Sequence, residues 1–252
     1  MAAGTQARQG DGGRARRVAE RRELRARRIL DAAGGLVLRY GYDKTTVDDV
    51  ARAAGVAKGT IYLHWKTREE LFTALLRRER AELAAEVERA LAADPAAATP
   101  RGLLARLTLA LLRRPLLKAV FVGDMEVIGR LARTRHEEPD AVWRTEFAGY
   151  LRTLRDDGLI RTDLSLAAQA HLVAAVLLGF LAVPPLLPGE LRLPDEQVAE
   201  LLAEAVDRTL DRGRPLDPDE ARRAAAATLR YAGELAAATR AKFRASTGEE
   251  ES

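Results

Sequence analysis

The chain has no cysteine, which excludes both a disulfide framework and a thiolate metal site. It has only three histidines, His64, His136 and His171. None has metal-ligand spacing, and His136-Glu137-Glu138 reads as a polar loop. HExxH, GxSxG and a glycine-rich phosphate loop after a strand are all missing, so the residues point neither to an enzyme nor to a bound cofactor or metal. No alternating β pattern of any length occurs. The N-terminus carries no apolar leader. The one uncharged stretch, Leu172 to Gly189, is broken by Pro184, Pro185 and Pro188. That leaves about a dozen helical residues where about 20 are needed to cross a bilayer. The expectation is an all-α protein of the cytoplasm without a membrane partner.

What is present is charge, unevenly placed. The formal net charge is only +4 over 252 residues. Residues 1–80 nevertheless hold 18 Lys/Arg against 10 Asp/Glu, while residues 81–252 hold 23 against 27. A basic first third on an acidic remainder is the asymmetry expected when one domain meets phosphate and the other does not. Arginine runs can also be plain solvated helix faces; their position beside the next motif favours nucleic acid.

That motif is TVDDVARAAGVAKGTIYLHWKTREEL, residues 46–71. Val47, Val50, Ala51 and Ala54 recur at i, i+3, i+4 and i+7, one face of a helix. Thr46 stands at its N-cap and Gly55 where a left-handed turn ends it. The segment from Ala57 to Leu63 is too short and too polar for a core helix. Thr67-Arg-Glu-Glu70 has the capping-box form and starts the next helix. A short exposed helix held against a buried one is how a helix-turn-helix presents side chains to the major groove.

Upstream, Arg14 to Arg28 carries eight arginines and two glutamates. It merges into the stripe Ile29, Leu30, Ala33, Leu36, Val37 and Tyr40, an amphipathic helix interrupted by Gly34 and Gly35, which mark either a close helix approach or a bend. Downstream, helices are expected from about Thr67 to Leu91, then at roughly 101–113, 116–134, 138–157, 165–183, 194–212 and 217–244, separated by Pro, Gly or Asp.

The run ILDAAGGLVLRYGYDKTTVDDVARAAGVAKGTIYLHWKTREEL resembles the N-terminal domain of the tetracycline-repressor (TetR) family of transcriptional regulators, over about 60 residues near 23–83. The resemblance implies a three-helix DNA-binding domain on a larger helical bundle that dimerises and binds a small effector, with release of DNA on binding. The corresponding division is a disordered basic arm over 1–20, the DNA-binding domain over 21–83, the ligand-binding and dimerisation domain over 84–245 and a tail over 246–252.

Carried over by position, Ala57, Lys58, Gly59, Thr60 and Tyr62 are expected at the bases. Lys58 can donate to guanine and Thr60 can touch a thymine methyl. Thr45, Thr46, Tyr62, His64, Lys66 and Arg68 are expected at phosphates. Tyr62 and His64 also admit packing roles, and Trp65 reads as core. Ala57 departs from the family's usual Ser or Thr, leaving the recognition helix without a side-chain cap. The implied partners are a pseudo-palindromic double-stranded operator, a second copy of the chain and a small molecule.

For dimerisation the candidates are Leu164–Val183, with Ala174, Ala175 and Gly179 allowing close approach, and Asp195–Leu210. For the effector pocket they are Phe121, Met125, Trp143, Phe147, Tyr150 and Phe180, which suit an apolar molecule, or a cation with Asp124 and Glu126 nearby. The rival reading is an architectural or non-specific DNA-binding protein without an effector.

Overall fold

Alanine, arginine, glutamate and leucine, all good helix formers, dominate residues 14–33. In the computed structural model they lie within a single helix, α1, Thr5–Tyr40. The structure describes residues 5–128 and 141–247; the side chains of 5–16, 18, 19, 125 and 141–145 lie outside this description. So does the His136-Glu137-Glu138 loop. The arm expected to be disordered over 1–20 is thus helical from Thr5, although residues 5–13 include three glycines; the helix formers extend α1 beyond its packed part from Arg14 onward. Gly34 and Gly35 neither bend nor crowd it: a Cβ on Gly34 would stand 3.6 Å from Leu75, an ordinary contact, and one on Gly35 would meet open space.

The stripe on α1 is buried as its spacing requires, through Ile29, Leu30, Ala33 and Val37. Tyr40 is the exception, exposed at the helix end with Arg39 over its ring. Against this face pack α2 (Val47–Ala54) and α4 (Arg68–Ala93), with α3 (Lys58–His64) held on α2. An isolated helix of α3's length is far below the roughly 12 residues needed for stability in water, so α3 exists because Ile61 and the following Trp65 are buried.

After α4 come α5 (Pro100–Leu112), α6 (Pro115–Val122) and the single turn α7 (Met125–Ile128). The one helix expected over 116–134 is therefore divided. Gly123 adopts φ 75° and caps α6, and Asp124 Oδ1 accepts from Glu126 and Val127 N–H to start α7. Then follow α8 (Ala141–Asp156), α9 (Leu166–Ala182), α10 (Asp195–Leu210) and α11 (Pro218–Thr247). No strand occurs among the described residues.

The expected division at 83/84 falls inside α4, which runs unbroken from the N-terminal helices into the bundle. Helix α11 lies along α4 and α8, while α10 packs on α5 and α9. The core is accordingly one connected cluster from Ala26 to Ala236.

Two contacts fasten the N-terminal helices to the bundle besides α4. Tyr42 N–H donates to the Val127 carbonyl of α7 at 2.8 Å. Trp65, 1% exposed, donates its Nε1 proton to the Ser246 carbonyl near the end of α11 at 3.0 Å.

Gly41, before Tyr42, has φ 81°, and a Cβ there would lie 2.6 Å from the Glu126 carbonyl oxygen. Gly41→Ala is expected to cost about 2 kcal/mol or more, from positive φ and the backbone clash together. A thermal melt checks this; an unchanged Tm would overturn it.

Candidate nucleic-acid interface

Helix α2 is held at both ends. Thr46 accepts from Asp49 N–H while the Asp49 carboxylate accepts from Thr46 N–H, the reciprocal capping box. Gly55 closes the other end at φ 64°, its N–H donating to the Arg52 carbonyl. The chain then turns into α3 at Ala57, whose backbone is extended and which makes no side-chain cap.

On α3, Ala57, Lys58, Gly59 and Tyr62 are exposed and Thr60 is half-buried, so the five expected base readers share one accessible helix. Lys58 is not free on that surface: its Nζ pairs with Asp48 of α2 at 2.8 Å, and this carboxylate raises the lysine's pKa. Asp48 is the residue the sequence reading missed. It lies ten positions away on another helix, and no local pattern announces it.

The six expected phosphate contacts are arranged less uniformly. Tyr62 and Lys66 are exposed at the end of α3, with Lys66 Nζ 3.4 Å from the Tyr62 carbonyl. Thr46 is exposed, but its hydroxyl is taken up by the capping box, donating to Asp49 Oδ2 at 2.6 Å. Thr45 is 2% exposed, with its hydroxyl donating inward to the Gly41 carbonyl at 2.9 Å.

Arg68 also faces inward. Its Nε donates to the Thr45 carbonyl at 3.1 Å and Nη2 to that of Tyr42. Its guanidinium lies 3.7 Å over the Tyr42 ring, which meets Phe72 edge-on. A cation in the first turn of a helix opposes the helix dipole; here two carbonyls and two ring faces compensate it. Thr45 and Arg68 therefore depart from their expected surface role, because the turn between α1 and α2 has carbonyls that need a donor.

His64 is half-buried, with Nδ1 enclosed and without a hydrogen-bond partner. Burial lowers its pKa below the ordinary 6.5, and the nearby Arg22 and Arg25 of α1 lower it further. Arg22 and Arg25 thus reach the same end of α3 that carries Tyr62 and Lys66.

Three helices in this order, with a capped buried α2 and a short exposed α3, match the profile of "Bacterial regulatory proteins, tetR family" over residues 29–75. Residues 29–75 are thus a DNA-binding domain of the TetR family of transcriptional regulators. A TetR-family regulator from Rhodococcus sp. shares its fold, with a TM-score of 0.56 and 21% identity over 75% of this chain and all of that one. An HTH-type transcriptional repressor of Mycobacterium tuberculosis is 40% identical over 65 residues, 26% of this chain and 35% of the repressor. The HTH-type transcriptional regulator AcrR of Shigella flexneri is 31% identical over 130 residues, 47% of this chain and 60% of AcrR. The chain spans about a third of the first of these relatives' length.

In the bundle beyond this TetR domain, Phe147 and Tyr150 of α8 come together with Tyr231 of α11. The tyrosine rings stack at 4.8 Å and Phe147 meets Tyr231 at 6.2 Å. Tyr150 Oη lies 2.8 Å from Thr228 Oγ1, and burial pushes its phenol well above the ordinary pKa. Phe121 and Phe180 are partly buried on α6 and α9, which pack together. Met125 and Trp143 lie on α7 and α8, with side chains outside the described residues. Tyr231 and Thr228 were not legible as partners of this cluster, since they lie 81 and 78 positions from Tyr150, beyond any local pattern.

Three outcomes are expected here. Ala57→Ser supplies the missing cap and is expected to stabilise the protein by about 1 kcal/mol in chemical denaturation. Arg68→Ala leaves the Thr45 carbonyl without its donor and that of Tyr42 with only the Thr45 N–H, and removes the cation from the Tyr42 ring; it is expected to cost about 2 kcal/mol in the same measurement, with little change in the salt dependence of DNA binding. His64 favours its neutral form when folded, so the stability it contributes is present above pH 6.5 and lost as pH falls below that value. Between pH 7 and 5.5 the Tm of the wild type is expected to fall further than that of His64→Gln; parallel curves would overturn this.

Proposed function

We propose that this regulator is a homodimer that binds a pseudo-palindromic operator through α3 and is released by an apolar small molecule bound in the helical bundle. The observation that carries the reading is the exposed edge of α3, with Lys58, Gly59, Thr60 and Tyr62 in register on a helix fixed by Ile61 and Trp65. Lys58 and Thr60 read base edges, and Gly59 lets the backbone approach the groove. Tyr62 and Lys66 hold phosphate. Thr45, Thr46 and Arg68 set the angle of α2 and α4 behind them, and His64 packs beneath the interface.

The second copy is supported by α9. The helix is apolar all round, yet only Gln169, Val173, Leu177 and Leu181, one line at every fourth residue, are buried. Ala174, Ala175 and Leu178 are exposed, as is Leu201 on the neighbouring α10. A helix apolar on every face calls for cover on every face, and α9 and α10 paired with their two-fold mates supply it. Half-sites are then about 34–36 Å apart.

The effector is proposed to sit among Phe121, Met125, Trp143, Phe147, Tyr150 and Phe180, the large apolar residues the sequence offers on α6, α7, α8 and α9. An occupant there bears on α7, whose Val127 carbonyl holds Tyr42, and on α11, whose Ser246 carbonyl holds Trp65. Both contacts end at the DNA-binding helices, which is the route proposed for release.

Selection of bound sequences from random duplex is the test. An inverted repeat is expected, bound about a thousandfold or more tighter than random competitor at physiological salt. Equal affinity for all duplexes would favour an architectural role instead. Lys58→Ala is expected to reduce discrimination at one base position by about 1–3 kcal/mol. Asp48→Asn, which frees Lys58 and removes a negative charge, is expected to tighten binding to every sequence.

A further inference from the structure

Helix α1 continues well before its first buried side chain, Ala26. On this projecting part, Arg17, Arg21, Arg25 and Arg28 recur at i, i+4, i+8 and i+11, which aligns them along one face. All four are exposed and none forms an ion pair among the described residues. Along one flank the charges are mixed: the exposed Glu20 lies one turn from Arg17, Arg27 pairs with Glu23, and Asp31 pairs with Arg78 of α4. The sixteen or so ångströms of axis from Arg17 to Arg28 (about 1.5 Å per residue) thus carry a one-sided cationic ridge.

We infer that this ridge is a second DNA-contacting element, laid on the phosphate backbone beside the groove that α3 enters. The inference rests on the proposed function and extends it. Helix α1 packs on α2, which in turn holds α3, so the ridge and the α3 surface belong to one packed unit; the charges of Arg22 and Arg25 are felt there by the His64 imidazole, whose pKa they lower. A guanidinium fork matches a phosphate, and a row of them matches a backbone bearing a charge about every 3.4 Å along each strand. Leu24, the one large apolar side chain described on this stretch before Ala26, is 61% exposed, and no apolar stripe accompanies it to seat a protein partner. The ridge contributes affinity without reading sequence, because phosphates carry none.

Two charge-matched double variants test this in the full chain: Arg21→Gln/Arg25→Gln on the ridge, and Arg222→Gln/Arg223→Gln off it, exposed on α11. Each is titrated from 50 to 300 mM salt against a labelled 40-base-pair duplex carrying the selected site and against a random duplex of equal length. The ridge variant is expected to bind both duplexes more weakly, with a slope of log Kd against log salt shallower by about 2 per subunit and an unchanged ratio between them. The off-ridge variant should match the wild type. Equal losses in the two variants would show net charge alone and overturn the ridge. So would a ridge variant that alters the ratio, since that is base reading. Failure of the proposed function looks different, since the wild type itself would then show no preference between the duplexes.

Discussion

The structure depends on α4 being one helix. Its first turn closes the helix-turn-helix and its later turns are a wall of the bundle, with buried side chains from Leu71 to Leu91. Helix α11 lies along it for much of this length. A rigid rod shared by two functional units transmits displacement without a separate linker, because a packed helix shifts as a body rather than bending locally. The hydrogen bond from Trp65 to Ser246 makes α11 a second rod of the same kind. Its stacked Tyr231 lies 15 residues before Ser246, about 22 Å along the helix. The aromatic cluster and the base of the recognition helix are therefore two ends of one element.

The helix-turn-helix has its own constraint in Arg68. The turn from Gly41 to Thr46 leaves carbonyls without helical partners, and one guanidinium satisfies two of them while lying on the Tyr42 ring. Tyr42 in turn donates its N–H to α7. A single polar group thus fixes the α1–α2 turn, the start of α4 and, through Tyr42, the junction with the bundle. Such a group is costly to remove, because buried carbonyls left alone lose their hydration without replacement.

Periodicity alone made the helices legible where apolar spacing and caps agreed. The stripes of α1 and α2, the Thr46 and Thr67 caps and the uncapped Ala57 appear in the structure as their residues require. The interface was less readable, for a physical reason. Thr45, Arg68 and Lys58 are each polar residues at an exposed-looking register, and sequence shows neither an unsatisfied carbonyl two helices away nor a carboxylate ten positions back. The split between α6 and α7 followed from Gly123, whose left-handed conformation stops a helix that hydrophobicity would have carried on. The Tyr150–Tyr231 stack joins residues 81 positions apart, beyond any local pattern.

The charges of the interface divide into two kinds. Lys58 is held by Asp48 in an exposed pair, and exposed pairs contribute little, roughly 0–1 kcal/mol, so exchanging that carboxylate for a base edge is nearly free. Such a lysine can select without first being unlocked at great cost. Arg17, Arg21, Arg25 and Arg28 have no ion-pair partner among the described residues and, on the proposed reading, nothing to select; attraction to phosphate is felt at any sequence. A regulator must find its site among many others, and this arrangement separates holding on to DNA from recognising it. On the proposed reading, helix α1 serves the first, α3 the second, and α4 keeps them in fixed relation.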